Sequence, residues 1–126
     1  MSKTRFVCLT MLVALTVATG IACSGPKVGS QEQGRQVAEE FVKQEATFRY
    51  DGMPETLKVT STASIADGWK YTFEFDCLHP GYGNRMGQMM AQMITHHTAQ
   101  VTVQAGRVTV ALMDGKWDMM KGRLIQ

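Results

Sequence analysis

The chain has 126 residues, of which 44% are hydrophobic, and 13 Lys and Arg stand against 11 Asp and Glu for a formal charge of +2. That length holds one domain, which excludes a multi-domain enzyme and a polytopic membrane protein. The composition is that of an ordinary folded chain and excludes a disordered or low-complexity one.

The first segment differs from the rest. Lys3 and Arg5 give a positive start, and Phe6 to Ala18 is uncharged and rich in Val, Leu, Ala and Thr. Small residues follow, ending at Gly20-Ile21-Ala22-Cys23. A basic start, an apolar run and a small-residue end describe a secretory signal. The last four residues resemble the lipobox of bacterial lipoproteins, in which a dedicated peptidase cuts just before a lipid-modified Cys. Leu is commonest three residues before that Cys, and Gly20 stands there in this chain. The resemblance implies a signal peptide over residues 1–22 and acylation, of the palmitate kind, at Cys23. An ordinary cleaved signal and an uncleaved anchor are the alternatives; the anchor needs the Thr, Gly and Ser of Phe6–Gly25 to count toward a span.

Removal of residues 1–22 changes the arithmetic. Lys3 and Arg5 leave with it, so the mature chain has no net charge to draw it to nucleic acid or acidic lipid. Of the three Cys, Cys8 is discarded and Cys23 is blocked, which leaves Cys77 without an internal disulfide partner. In the oxidising envelope a lone thiol is buried, paired between chains or reactive, and burial is the commonest state. Residues 23–30 have linker composition and reach at most about 28 Å when extended. Ser24, rather than Asp, follows the anchor Cys. That favours the outer membrane in an organism that has one.

Residues 31–126 read as a single α+β domain. Ser30 with Gln33 forms a capping box. Val37, Ala38, Phe41, Val42 and Phe48 recur at helical spacing, which predicts a helix ending near Tyr50, before Asp51-Gly52 and Pro54. Leu57–Ile65 alternates weakly, while Trp69, Tyr71, Phe73, Phe75 and Cys77 alternate strictly with polar residues. With Ala66-Asp67-Gly68 between them, these segments predict a hairpin whose apolar face carries Cys77. A second hairpin is predicted from Val101 and Val103, a turn at Gln104–Arg107, and Val108, Val110 and Leu112. Trp117 and Met119-Met120 cap the core or begin a fifth short strand. The expected architecture is one N-terminal helix on a four-stranded antiparallel sheet of two hairpins, with a short helix or loop between the hairpins.

That order of elements resembles the small cystatin-like and PepSY-like domains of bacterial envelope proteins, a likeness of architecture that fixes no function. Gly81-Tyr82-Gly83-Asn84-Arg85, His97-Thr98-Ala99 and Asp114-Gly115-Lys116-Trp117-Asp118 resemble an uncharacterised prokaryotic family, and that resemblance implies no activity.

Residues 77–97 hold all three His of the chain and four of its ten Met. With Asn84 as cap, a helix over Arg85–Thr95 places Met86, Met89, Met90 and Met93 on one face. His96 and His97 then sit at its end, where the dipole favours them. Met at such spacing is core filler first. Met89–Ile94 is also short enough for a strand. The functional alternative is a copper site: thiolate, imidazole and thioether select copper(I), with Cys77, His79, Met89, Met93, His96 and His97 as candidate ligands.

No catalytic constellation stands out. Cys77 near His79 suggests a thiol nucleophile, but a thiol among aromatics is inert. Asp114 and Asp118 suggest an acid and base pair, yet Asp-Gly is first a turn. Gly81-Tyr82-Gly83 lacks the Lys-Ser/Thr of a phosphate loop. The sequence therefore points to a non-enzymatic envelope lipoprotein, a binding or scaffolding domain without a catalytic cofactor. Its expected partners are the membrane, through the anchor, and an envelope protein.

Overall fold

A computed structural model of the chain describes residues 30–126. The expected signal peptide over residues 1–22, Cys8, the lipobox-like segment and Cys23 lie outside the described residues. The domain is α+β, with helices preceding an antiparallel meander.

Helix α1 (Gln31–Gln44) starts at the capping box: Gln33 N–H donates to Ser30 Oγ at 3.2 Å, and Ser30 N–H to Gln33 Oε1 at 3.0 Å. The helix does not run unbroken to Tyr50. Glu45 adopts an extended conformation (φ −67°, ψ 142°), and a second helix, α2 (Ala46–Asp51), begins after it. The break is stabilised on both sides of the Glu45 carboxylate, which caps Thr47 N–H at 2.8 Å and accepts from Trp117 Nε1 at 2.9 Å. Trp117 is far off in the chain, so helical periodicity carries no sign of the interruption.

The sheet has six strands rather than four, in the order β1 (Lys58–Ile65), β2 (Gly68–Cys77), β3 (Thr95–Gln104), β4 (Arg107–Met113), β5 (Trp117–Asp118) and β6 (Arg123–Leu124). Both predicted hairpins form. Their turns use left-handed residues at Asp67, Ala105 and Gly106. A bulge between Val59 and Ser61 in β1 shifts the register, which accounts for the weak alternation there. β5 and β6 are two-residue additions, too short to show a period of two.

β3 begins at Thr95, well before Val101. It pairs with β2 over its whole length, from Gly68↔Gln104 to Cys77↔Thr95. His96 and His97 therefore belong to a strand and not to a helix end. No helix forms over Arg85–Thr95 and no strand over Met89–Ile94; residues 78–94 are an irregular loop. α1 and α2 already cover the apolar face of the sheet, so a third helix has nothing to bury its methionines against.

The core lies between α1 and strands β2 to β4. Gly34, Ala38 and Val42 line one face of α1 against Tyr71, Phe73, Val101 and Ala111. The helix approaches closely because Gly34 has no side chain: a Cβ there would lie 2.4 Å from Tyr71 Oη. That hydroxyl donates to the Gln31 carbonyl at 2.5 Å and fixes the helix start against β2. Phe75 meets Phe48 of α2 edge to face at 5.1 Å. Full burial of each such ring contributes roughly 1.5–3 kcal/mol. Cys77 is fully buried beside them, as its place in the alternation predicts.

Candidate functional site

Loop 78–94 is held at both ends by buried polar groups. At the first end, Asp51 closes α2 and turns its carboxylate under the loop. Arg85 Nη2 donates to Asp51 Oδ1, and both side chains are almost wholly buried. The same guanidinium donates to the carbonyls of Gly83 at 2.9 Å, Gly81 at 3.1 Å and Thr47 at 3.4 Å. It lies 4.8 Å from the centre of the Tyr50 ring. Asp51 Oδ2 accepts from the backbone N–H of His79 at 2.8 Å and faces its Nδ1 at 2.9 Å. A carboxylate only accepts, so Nδ1 carries the proton, and in the neutral ring Nε2 keeps the lone pair.

The second end is closed by Tyr82, His97 and Asp114. His97 Nδ1 lies 2.6 Å from Asp114 Oδ2, and the Tyr82 hydroxyl donates to the same oxygen at 2.9 Å. Asp114 Oδ1 accepts Thr98 N–H at 2.7 Å. Burial raises the Asp114 pKa, but the bonds from Thr98, His97 and Tyr82 outweigh it, and the group ends below its ordinary range. Burial first, and the bond to Asp114 second, push the Tyr82 phenol up to about 12, so it stays a donor. The Tyr82 ring stacks on Trp117 at 5.6 Å, and the Trp117 indole reaches Glu45 at the helix break. Tyr82, Trp117 and Glu45 thus tie the loop, the end of the sheet and the helix junction together.

Between these fixed ends the loop is apolar and open. Met86, Met89 and Met93 are exposed, Met89 fully so, and Leu78 and Ile94 flank them in the same state. This overturns the expectation that these methionines fill the core. Few hydrogen bonds hold the segment: Gln88 N–H to the Arg85 carbonyl, Met93 N–H to that of Ala91, Met86 N–H to Asn84 Oδ1, and Thr95 Oγ1 to the Met93 carbonyl. Gly87 sits in the left-handed region at φ +79° with open space around it.

The six candidate ligands do not converge. Cys77 is buried, and burial followed by the nearby Asp51 charge pushes its thiol up to about 12. His96 and His97 are successive strand residues and face opposite sides of the sheet. His96 lies on the exposed side between Asp76 at 2.7 Å and Glu74 at 3.4 Å, and their hydrogen bonds raise its pKa. His97 is buried against Phe75 and Tyr82. Only His79, Met89 and Met93 lie in the loop. Among the described residues, no three His, Cys, Asp or Glu side chains gather as a metal cage. Asp114 and Asp118 do not pair either: Asp118 caps the backbone of Met120 and Lys121.

The His97–Asp114 pair has the orientation of a base and its carboxylate partner, but His97 Nε2 is buried and has no hydrogen-bond partner. The Phe75 and Tyr82 rings pack against its imidazole at 5.5 and 5.4 Å. Sequence reasoning missed Arg85, Asp51 and Tyr82. The signal available was a period of two reaching back from Val103 through Val101 and Ala99 to His97, which extends β3 and leaves loop 78–94 without a helix. No family model, no curated protein and no solved structure matches the chain.

Proposed function

We propose that this protein is a non-enzymatic lipoprotein of the bacterial cell envelope, acylated at Cys23, whose domain over residues 31–126 is a binding or scaffolding module. Loop 78–94 is its contact surface. One observation carries the binding part: the buried acids, bases and cation around the loop are spent on holding it, while its apolar side chains face outward. A rigid base under an exposed run of Met, Leu and Ile is the pattern of an adaptable recognition surface. One helix followed by an antiparallel meander also agrees with the likeness to cystatin-like and PepSY-like envelope domains.

The anchor rests on Gly20-Ile21-Ala22-Cys23. Its expected position supports the same reading. Ser30 lies at the Tyr71 end of the sheet, while α2 and loop 78–94 lie at the Cys77 end. The fourteen residues of α1 cover about 21 Å between them. A tether joined at Ser30 leaves the loop facing away from the membrane, toward an envelope partner. The outer membrane is the favoured location where there is one, because Ser24 follows Cys23. Cells fed labelled palmitate should incorporate it into the wild type and not into Cys23→Ala, which should leave the membrane fraction. An unlabelled wild-type protein would overturn the anchor.

A further inference from the structure

We propose that loop 78–94 is a reversible oxidation site, at which hydrogen peroxide or an organic hydroperoxide converts Met86, Met89 and Met93 to methionine sulfoxide while the fold around them stands. Three observations carry it.

The first is where sulfur meets solvent. Met89 is fully exposed, and Met86 and Met93 are 77% and 58% exposed. Met113 and Met119 of the sheet end are buried. Among the described residues Met120 is the one other exposed methionine, and it sits in a groove with Val37, Phe41 and Val108. Cys77 would react ahead of any thioether if it were an accessible thiolate, but it is buried and keeps its proton. A thioether has no proton to lose, so access governs its oxidation. The oxidant-reactive sulfur of the domain is therefore gathered in this loop.

The second is that the fold does not depend on these side chains. The groups that hold the loop are Asp51 with Arg85, and Tyr82 with His97 and Asp114. No methionine takes part in either set. A sulfoxide oxygen at Met89 points into water. At Met113, paired with Ala99 inside the sheet, the same oxygen would be buried without a donor. Few hydrogen bonds hold residues 86–94, so a repair enzyme can draw each modified side chain into its own site.

The third is the chemistry open to an isolated thioether. A sulfur lone pair attacks the outer oxygen of the hydroperoxide. The S–O bond forms as the O–O bond breaks, the proton of the attacked oxygen passes to the departing one, and water or an alcohol leaves. Sulfur gives up two electrons and the peroxide takes them. Each event is independent, so the three methionines need not converge. The product is polar where the thioether was apolar, and sulfoxide reductases reverse it. Each sulfoxide thus puts a polar oxygen on the surface proposed above for contact. Loss of that contact rests on that reading; the modification does not.

The test follows each methionine separately. The full-length protein, extracted from membranes in detergent, is treated with hydrogen peroxide and digested, and the added oxygen is located by peptide mass spectrometry. Met86, Met89 and Met93 should oxidise at least about tenfold faster than Met113 and Met119. Cys77 should stay unmodified and the urea unfolding midpoint should not move. In urea the difference between the two groups should vanish. The two methionine sulfoxide reductases, one for each sulfoxide epimer, should remove the oxygen from the folded protein when supplied with dithiothreitol. Cells given a brief peroxide pulse should carry the same three sulfoxides and lose them once it ends. Equal rates in the folded protein, unfolding on oxidation of the loop, sulfoxides that the reductases leave in place, or loop methionines unmodified in the pulsed cells would each overturn the proposal. No partner enters these measurements. A loop that resists peroxide therefore loses only its oxidation, and a loop that touches no partner still oxidises.

Discussion

Asp51 and Arg85 form a buried ion pair that joins the last residue of α2 to the middle of the only long loop in the described domain. Each has further partners, His79 on the acid and three backbone carbonyls on the base. The pair therefore pins the first half of the loop, from His79 to Arg85.

Removing one member should be costly. Arg85→Met leaves the Asp51 carboxylate buried without its cation, and the expected loss is about 3–5 kcal/mol. Arg85→Lys should not rescue it, because a single ammonium cannot reach Asp51 and the carbonyls of Gly81 and Gly83 together. Asp51→Leu combined with Arg85→Met should recover part of the loss. Urea unfolding followed by tryptophan fluorescence measures all three. An Arg85→Met protein as stable as the wild type would remove the pin.

The methionine run should behave in the opposite way. Met86, Met89 and Met93 are exposed, so replacing all three with Ser should change stability by less than about 0.5 kcal/mol per site. A core role at the same positions would cost about 2–5 kcal/mol per site. The same unfolding measurement separates these outcomes without reference to any ligand.

The Asp114 cluster should give the domain an acid limb. Its folded pKa lies below the ordinary value of 3.8, so the stabilisation is present above that value. It is lost as pH falls through the lower, folded value. Asp114→Asn should be less stable near neutral pH by about 1–3 kcal/mol. The difference from the wild type should shrink as pH falls below 3.8. Parallel curves for the two proteins across that range would show that the carboxylate is not what the cluster depends on.

Cys77 should be chemically silent. With its thiol pushed up to about 12 by burial, almost no thiolate exists at neutral pH, and no solvent reaches the sulfur. Iodoacetamide should label Cys77 only after denaturation. Rapid labelling of the native protein would contradict the packing of β2 against α2.

Much of the frame is legible in the sequence because it is written locally. The strict alternation from Trp69 to Cys77 places β2 and the burial of its thiol. Ser30 with Gln33 marks the start of α1, and Asp67-Gly68 and Ala105-Gly106 mark the turns. Each of these is a contact between near neighbours or a backbone preference of one residue.

The loop was not legible, for the same reason in reverse. The spacing of Met86, Met89, Met90 and Met93 satisfies a helix, but a helical pattern acts only where a surface is free to receive it, and α1 and α2 had taken that surface. Arg85 reads as a solvated cation until Asp51, distant in the chain, is brought beneath it. His97 reads as a helix-end charge until β3 is extended to match the length of β2. The sequence alone determines the α+β class, the two hairpins and the buried thiol of Cys77, and it alone carries the lipobox-like Gly20-Ile21-Ala22-Cys23. The tertiary structure alone decides that the histidines separate, that His79 is oriented by Asp51 and that the methionines face outward. Local preferences follow from neighbouring residues, whereas burial and ion pairing depend on which distant segments compete for the same face of the sheet.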